Sequence, residues 1–410
     1  MTPVADAAQP SGWRVANLIA QIAFGLLLMT LPLPSMPDWR DSFGVAQATV
    51  QLTFGLYVLA YGVSQVLAGP LSDRHGRRPV LQTGLVIAAA GSLLGAGAAD
   101  IVTLLLARML QGVGAGAAAV AGRASVQDAF HGAARTRVMA YVGMAMGLCP
   151  PLATLLGGQL HVRLGWQANF VVMAAVALAL WVAARLGLPA APPRRADSAR
   201  GGWLTEMLRA YRRLLGDRVF ALNVAVLALT VATFYAFLSG APLVLRSYGV
   251  GADHMGLYIM AVPLSYIAGN FLTSRLAHRF AELRLLAAGQ AFTLAGVALV
   301  LALGLAGRGS ALAFVLPLTL LGIGHGLLTP TLLTRTIGLV PALAGAAAAV
   351  AGLMQQLVGA FGGYVVGWFP HDGVVNLAAV MLAFTLAAVA TQVPLHGRRP
   401  RLQSPSREGS

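Results

Sequence analysis

The chain has 410 residues, of which 58% are hydrophobic and 10% charged, with a mean hydropathy of +0.75. Soluble globular domains carry about 25% charged residues, so this composition excludes one and indicates an integral membrane protein. A net charge of +15 raises the question of nucleic acid, but the charges are placed by membrane topology instead, as set out below. The basic residues are all arginine, which excludes a P-loop lysine and a lysine Schiff base.

Apolar stretches of about 20 residues, the length that crosses a bilayer, occur twelve times: at 14–36, 48–70, 80–98, 102–125, 137–160, 166–187, 219–240, 253–275, 284–305, 311–333, 342–366 and 374–394. The first is too long for a signal-peptide core and is expected to be a retained helix. If the N-terminus lies in the cytoplasm, all arginines except Arg40, Arg108, Arg163, Arg246 and Arg308 fall in cytoplasmic segments. This is a positive-inside pattern, so the basic balance reports topology and attraction to anionic lipid, with no nucleic-acid partner. Both termini are then cytoplasmic. The expected division is a tail (1–13), a six-helix half (14–187), a linker (188–218), a second six-helix half (219–394) and a C-terminal tail (395–410).

In chain order, the first span ends in Leu31-Pro32-Leu33-Pro34-Ser35-Met36-Pro37, a proline-rich exit followed by Asp38, Arg40 and Asp41. Between the second and third spans stands Gly69-Pro70-Leu71-Ser72-Asp73-Arg74-His75-Gly76-Arg77-Arg78-Pro79. Four charges and a histidine do not lie in hydrocarbon, so a tight polar loop is expected at the cytoplasmic face. The fourth span holds Arg108-Met109-Leu110-Gln111-Gly112-Val113-Gly114-Ala115. The fifth holds Gly147, the pair Pro150-Pro151 and the pair Gly157-Gly158, a pattern for a kinked helix closely approached by a neighbour. The linker is rich in proline and arginine, with an amphipathic piece near 203–215 expected at the membrane surface. About 200 residues after Gly69, Arg74 and Arg78, the second half offers Gly269, Arg275 and Arg279 as a weakened echo.

The 69–79 string resembles the signature loop of the major facilitator superfamily, with the aspartate, glycine and arginine pair at the family's spacing. The Arg108 string is similar to that family's R-x-x-Q-G-x-G-A motif, and the fifth span to the antiporter motif of its exporters. The exit of the first span is similar to that of the Bcr/CflA group of drug:proton antiporters, except that Thr30 stands where the group usually carries an aspartate. The resemblance covers about residues 14 to 394 and implies an all-α bundle of twelve transmembrane helices in two pseudo-symmetric halves around a central cavity. It also implies a conformational latch at Gly69, Asp73, Arg74, Gly76, Arg77, Arg78 and Asp128. There Asp73 would sit against the start of the eleventh span, and Arg77 would pair with Asp128.

By these span boundaries no acidic residue lies well inside a span, so paired-carboxylate hydrolysis has no place to occur and no enzyme activity is expected. No metal-ligand cluster or cofactor motif is present, and Cys149, the single cysteine, rules out an intrachain disulfide. Arg108 is the one charge at membrane depth, read either as an arginine satisfied by helix carbonyls and Gln111 or as a binding charge in the cavity. His325, in Gly322-Ile323-Gly324-His325-Gly326, titrates in the useful range, and its glycine neighbours suggest space for water or substrate. It is read as proton carrier or substrate ligand, with Asp38 and Asp128 as fallbacks for the proton. Tyr57, Tyr61, Gln65, Tyr235, Gln355 and Gln356 together suggest an amphiphilic cavity. His75, His131, His161, His278 and His396 are helix-end or loop residues expected to be inert.

The function expected from these features is secondary active transport at the bacterial inner membrane by alternating access. The resemblance implies export in exchange for protons, by a monomer, of a small amphiphilic drug or a metabolite such as a siderophore. Two alternatives stay open: an importer of the same fold, and a membrane sensor or assembly factor that has lost transport.

Overall fold

The computed structural model describes residues 12–188, 203–340 and 343–397. Residues 1–11, 189–202, 341–342 and 398–410, which include most of both tails and part of the 188–218 linker, lie outside them. The described residues are helical, with twelve helices or helix pairs long and apolar enough to cross a membrane.

The first lobe contains α1 (Gly12–Thr30), α2 (Met36–Phe43), α3 (Gln47–His75), α4 (Arg77–Ala96), α5 (Ile101–Ala129), α6 (Gly132–Leu164) and α7 (Gln167–Gly187). An amphipathic helix, α8 (Trp203–Gly216), precedes the second lobe: α9 (Arg218–Ser247), α10 (Ala252–Ile259), α11 (Ala261–Leu276), α12 (Glu282–Leu305), α13 (Ala311–Gly338), α14 (Ala344–Val365) and α15 (Val375–Gln392). The packing pattern of one lobe repeats in the other. α5 sits between α3 and α4 as α13 sits between α11 and α12, and α1 meets α5, α6 and α7 as α9 meets α13, α14 and α15. This is a twelve-span bundle of two pseudo-symmetric halves.

Small residues set the helix spacing, because lipid-embedded helices associate by close packing. A Cβ on Gly114 would strike the Gly84 carbonyl of α4, while one on Gly112 or Gly116 would strike backbone of α3. In the second lobe, Gly296 abuts the Pro317 carbonyl and Gly269 the Ile323 carbonyl. Gly269 is thus a packing glycine, whereas nothing lies within 4 Å of a Cβ built on Gly69. The weakened sequence echo does not carry the same local role.

Three local departures from the sequence reading have simple causes. The expected 69–79 loop is mostly helix. α3 runs through Pro70 to His75, and the chain turns at Gly76 alone, with φ 94° and ψ 152° that favour glycine. Arg74 and His75 in the last turn suit the negative end of that helix dipole. The eighth span is two helices rather than one, broken at Met260 just ahead of Pro263, whose ring nitrogen has no hydrogen for the ladder. After Thr30 the proline-rich exit forms a 3-10 turn (Leu33–Ser35) leading into α2.

α2 is fastened to its own lobe. Trp39 meets Trp166 edge-on at 5.8 Å and Phe170 at 6.2 Å, and Phe43 meets Trp166 at 5.7 Å. Asn169 donates to the Ser35 hydroxyl at 3.0 Å. Trp39 is fully buried by this cluster, so residues on α2 move with the first lobe.

The lobes press together at the end bearing Asp38, termed here the Asp38 end. Arg246 of α9 bonds Asp38, Gln159 of α6 donates to the Asp253 carbonyl of α10 at 3.2 Å, and Ser239 of α9 is hydrogen-bonded to Gln51 of α3. Gly158 lies against the Ala252 backbone and Gly367 against Ala48. Toward the opposite end, at the Gly76 turn, Arg77 pairs with Asp73 and Asp128 and Arg78 with the end of α7, all within the first lobe. A Cβ on Gly69 of α3, Gly143 of α6, or Gly345 or Gly352 of α14 would meet nothing within 4 Å.

Candidate functional site

A belt of aromatic and polar side chains crosses the lobe interface at the middle of the spans. In the first lobe the Arg108 guanidinium lies 4.3 Å from the centre of the Tyr57 ring, and Tyr57 stacks on Tyr61 at 6.1 Å. The Tyr57 hydroxyl donates to the Gly25 carbonyl of α1 at 2.6 Å. Gly62, next to Tyr61, packs on Gln356 of α14, and the Tyr235 hydroxyl donates to Gln356 Oε1 at 3.0 Å. Phe54 of α3 meets Tyr235 edge-on at 5.6 Å across the interface. From Tyr235 the belt runs through Phe234 to His325, whose rings are 6.1 Å apart.

The backbone explains why these residues converge. Tyr57 and Tyr61 are one turn apart on α3 and so share a face. Gly25 on α1 and Gly359 on α14 leave the space that the Tyr61 and Tyr235 rings fill.

The sequence reading named Tyr57, Tyr61, Arg108, Tyr235 and His325, and the structure brings these five into the belt. It missed Phe54 and Phe234, whose aromatic type was legible but whose rotation was not. Gln355 donates to its own helix at Ala351, so the interface contact falls to Gln356 instead.

Arg108 is more committed than a cavity charge would be. It is 1% exposed and donates to the Leu28 carbonyl at 2.7 Å, the Thr53 carbonyl at 3.3 Å and Gln111 Oε1 at 2.7 Å. Gln111 in turn donates to the Ser92 hydroxyl at 2.8 Å, so both ends of its amide are used within the lobe. The Arg108–Gln111 pair ties α1, α3, α4 and α5 together and presents its charge to the belt through the Tyr57 ring.

His325 is 3% exposed, and its Nε2 has no hydrogen-bond partner among the described residues. The flanking glycines are not space beside the ring. Gly324 lies against Gly289 and Thr293 of α12, and Gly326 against Gly269 and Asn270 of α11. They let three helices meet, which corrects the expectation drawn from the sequence. Thr30, in the place of the missing acid, is buried and donates to its own helix at Leu26.

At the turn end, Arg77 bridges three groups: Asp73 at 2.5 Å, Asp128 at 3.0 Å and the Ser72 hydroxyl at 2.7 Å. The Asp73 side chain is half exposed and its Arg77 contact lies within its own lobe. Arg78 donates to the Arg185 and Leu188 carbonyls at 2.7 and 3.2 Å, satisfying the free end of α7. A shallow groove of about 310 Å³ lined by Pro79, Gln82, Thr83, Val86 and Trp181 lies between α4 and α7, away from the belt.

At the other end His161, read from the sequence as an inert helix-end residue, makes a side-chain contact with α2. Its Nε2 meets Asp38 Oδ2 at 2.7 Å, while Arg246 Nη1 meets Asp38 Oδ1 at 2.6 Å. On α6, Gly157 packs against the Leu31 carbonyl, Gly158 against Ala252 and Gly147 against Ile267 of α11. The helix continues through Pro150 and Pro151.

Two repeated lobes joined across a mid-span polar belt, with ion pairs at both ends, form a polytopic bundle of twelve candidate spans. The Major Facilitator Superfamily model matches residues 15–363, and the chain belongs to that family. Multidrug resistance protein D of Escherichia coli (strain K12) is 27% identical over 387 residues, 93% of this chain and 95% of that protein. The chloramphenicol resistance protein of Pseudomonas aeruginosa is 29% identical over 323 residues, 76% of this chain and 75% of that one. Among solved structures, a D-xylose-proton symporter superposes with a TM-score of 0.71 at 17% identity, covering 92% of this chain and 96% of that one. A bacterial homologue of the human lysosomal transporter Spinster gives 0.70 at 17% identity, covering 94% and 95%. These two likenesses concern the fold.

Proposed function

We propose that the protein exports small amphiphilic molecules of neutral or anionic character across the inner membrane by alternating access, in antiport with protons. The observation that supports this most directly is the difference between its ends: the lobes are tied together at the Asp38 end, while the pairs of Arg77 and Arg78 at the turn end lie within the first lobe. A pair of rigid lobes in that arrangement is one of the two states that alternating access requires. The positive-inside distribution of arginines supports a cytoplasmic turn end and cytoplasmic termini. These observations support a state closed at the Asp38 end and accessible from the cytoplasm, where an exporter collects its substrate.

The belt sets the substrate class. Tyr57, Tyr61, Phe54, Tyr235 and Phe234 offer ring faces and hydroxyls, Gln356 an amide, and His325 an unpartnered nitrogen. Arg108 is buried with no acidic side chain among its partners, so the belt carries positive character and disfavours a permanent cation. The names of the relatives, resistance to several drugs and to chloramphenicol, support a neutral amphiphile expelled from the cell. Chloramphenicol is accordingly the first probe. Expressed in a strain lacking its own drug exporters, the protein is expected to lower chloramphenicol accumulation and to leave accumulation of tetraphenylphosphonium unchanged. Equal chloramphenicol accumulation with and without the protein would overturn its place as a substrate, and raised accumulation would make the protein an importer.

A further inference from the structure

Asp38 holds one partner from each lobe. His161 belongs to α6 of the first lobe, Arg246 to α9 of the second, and each bonds a different oxygen of the same carboxylate, at 2.7 and 2.6 Å. Since α2 is fastened to the first lobe by Trp39 and Phe43, the Asp38–Arg246 bond is a tie between lobes and the Asp38–His161 bond a tie within one. Opening this end breaks the first and leaves the second intact.

The imidazole is placed to feel which state it is in. With Nε2 donating to Asp38, a second proton goes to Nδ1, and Nδ1 is buried without a hydrogen-bond partner among the described residues in this closed state. A proton there gives an unsatisfied buried N–H, and places a second cation beside Arg246 on one carboxylate. The remaining charged groups nearby do little to offset this. On α2, Asp41 is largely exposed and reaches Arg246 at only 3.8 Å, and Arg40 is exposed. On α10, Asp253 is paired with its neighbour His254 at 2.9 Å. On α6 itself Arg163 adds positive charge. The neighbours of His161, Gly158 and Gln159, are pressed onto α10, so parting the lobes brings water to this stretch and removes Arg246 from Asp38.

We infer that Asp38, His161 and Arg246 form a proton-binding latch. A proton taken by His161 from the solution at that end makes it the sole counter-ion of Asp38, releases Arg246 and favours the state open at the Asp38 end. Proton loss restores the tie. Acid in the solution at that end therefore promotes opening there. One linked proton changes the open-to-closed ratio by at most about tenfold per pH unit. This inference rests on the alternating-access reading and on no particular substrate or coupling ion.

The test uses the full chain in lipid nanodiscs without substrate. Spin labels are placed at Ser42→Cys and Ala306→Cys in a Cys149→Ser background, and the distance across the Asp38 end is measured at pH 7.5 and 5.5. A second pair at Ser274→Cys and Arg135→Cys reports the turn end. The wild-type latch is expected to lengthen the first distance and shorten the second on acidification. His161→Gln keeps a donor for Asp38 but cannot titrate, and is expected to give the pH 7.5 distances at both pH values. Asp38→Asn is expected to give the long Asp38-end distance at both, which keeps the test open should His161→Gln fail to fold. An unchanged pH response in His161→Gln, or normal closure by Asp38→Asn at pH 7.5, overturns the latch. So does a wild-type protein whose two ends exchange reciprocally without responding to pH. Ends that never move reciprocally overturn the alternating-access reading, and the latch with it.

Discussion

At the scale of single residues, Arg108 and His325 look alike in sequence, two titratable groups in apolar helices, yet the structure gives them different work. Arg108 has carbonyl and amide partners on three helices, so removing it strands those acceptors as well as losing a charge. Arg108→Ala is expected to abolish chloramphenicol efflux and to cost about 2–4 kcal/mol of stability, read as a lowered melting temperature in detergent. Arg108→Lys keeps the charge without the planar fork and should fall between. A melting temperature unchanged by the alanine variant would remove Arg108 from the lobe's framework. His325 has a free Nε2 facing aromatic company, which suits a substrate ligand. We expect His325→Gln to alter the half-saturating chloramphenicol concentration while leaving proton-driven uphill transport intact. Loss of uphill transport with retained downhill exchange would instead make His325 the coupling group. Outside the membrane, Asp100 caps α5 by accepting from the Thr103 backbone and hydroxyl, and these bonds hold its carboxyl below the ordinary range. Because the folded value is the depressed one, its contribution to stability is present above the unfolded carboxylate range and is lost as pH falls through the lowered value.

At the scale of elements, what was legible in the sequence depended on whether the signal was local. The spans were legible from hydropathy, because each must be about 20 apolar residues long whatever its neighbours do. The Gly76 turn was legible as a reversal but not in extent. Nothing in Gly69-Pro70-Leu71-Ser72-Asp73-Arg74-His75 shows that helical bonding continues to the glycine, and the charges invite reading the stretch as a loop. Gly324 and Gly326 were legible as space, but only the packed helices show that the space is filled by α12 and α11. His161 and Arg246 gave no signal at all, since the bond each makes to Asp38 spans a distance in sequence that no motif records. The glycines of α6 offer a direct check on element packing. A Cβ at Gly158 would strike the Ala252 carbonyl of the other lobe, so Gly158→Ala is expected to disfavour the state described here and to slow efflux. Asp73→Asn, which removes one of the two carboxylates that Arg77 bridges, is expected to slow transport while leaving chloramphenicol binding near normal. Transport at the wild-type rate in either variant would separate that contact from the conformational cycle.

At the scale of the whole molecule, two lobes with repeated packing meet across a mid-span belt and are tied together at the Asp38 end, while the pairs made by Arg77 and Arg78 at the turn end lie within the first lobe. The proposed antiport draws its energy from an ion gradient. A proton crossing inward gains about 2.3 kcal/mol per 100 mV, before any pH difference is counted. The account therefore stands on coupling between proton entry and substrate exit. The most direct measurement places the purified protein in vesicles, imposes an acidic lumen, and follows radiolabelled chloramphenicol. Molecules oriented with the turn end outward should concentrate the drug inside above its external level, and a protonophore should collapse that accumulation. Chloramphenicol that merely equilibrates across the vesicle membrane, with or without the pH gradient, would contradict proton-driven export.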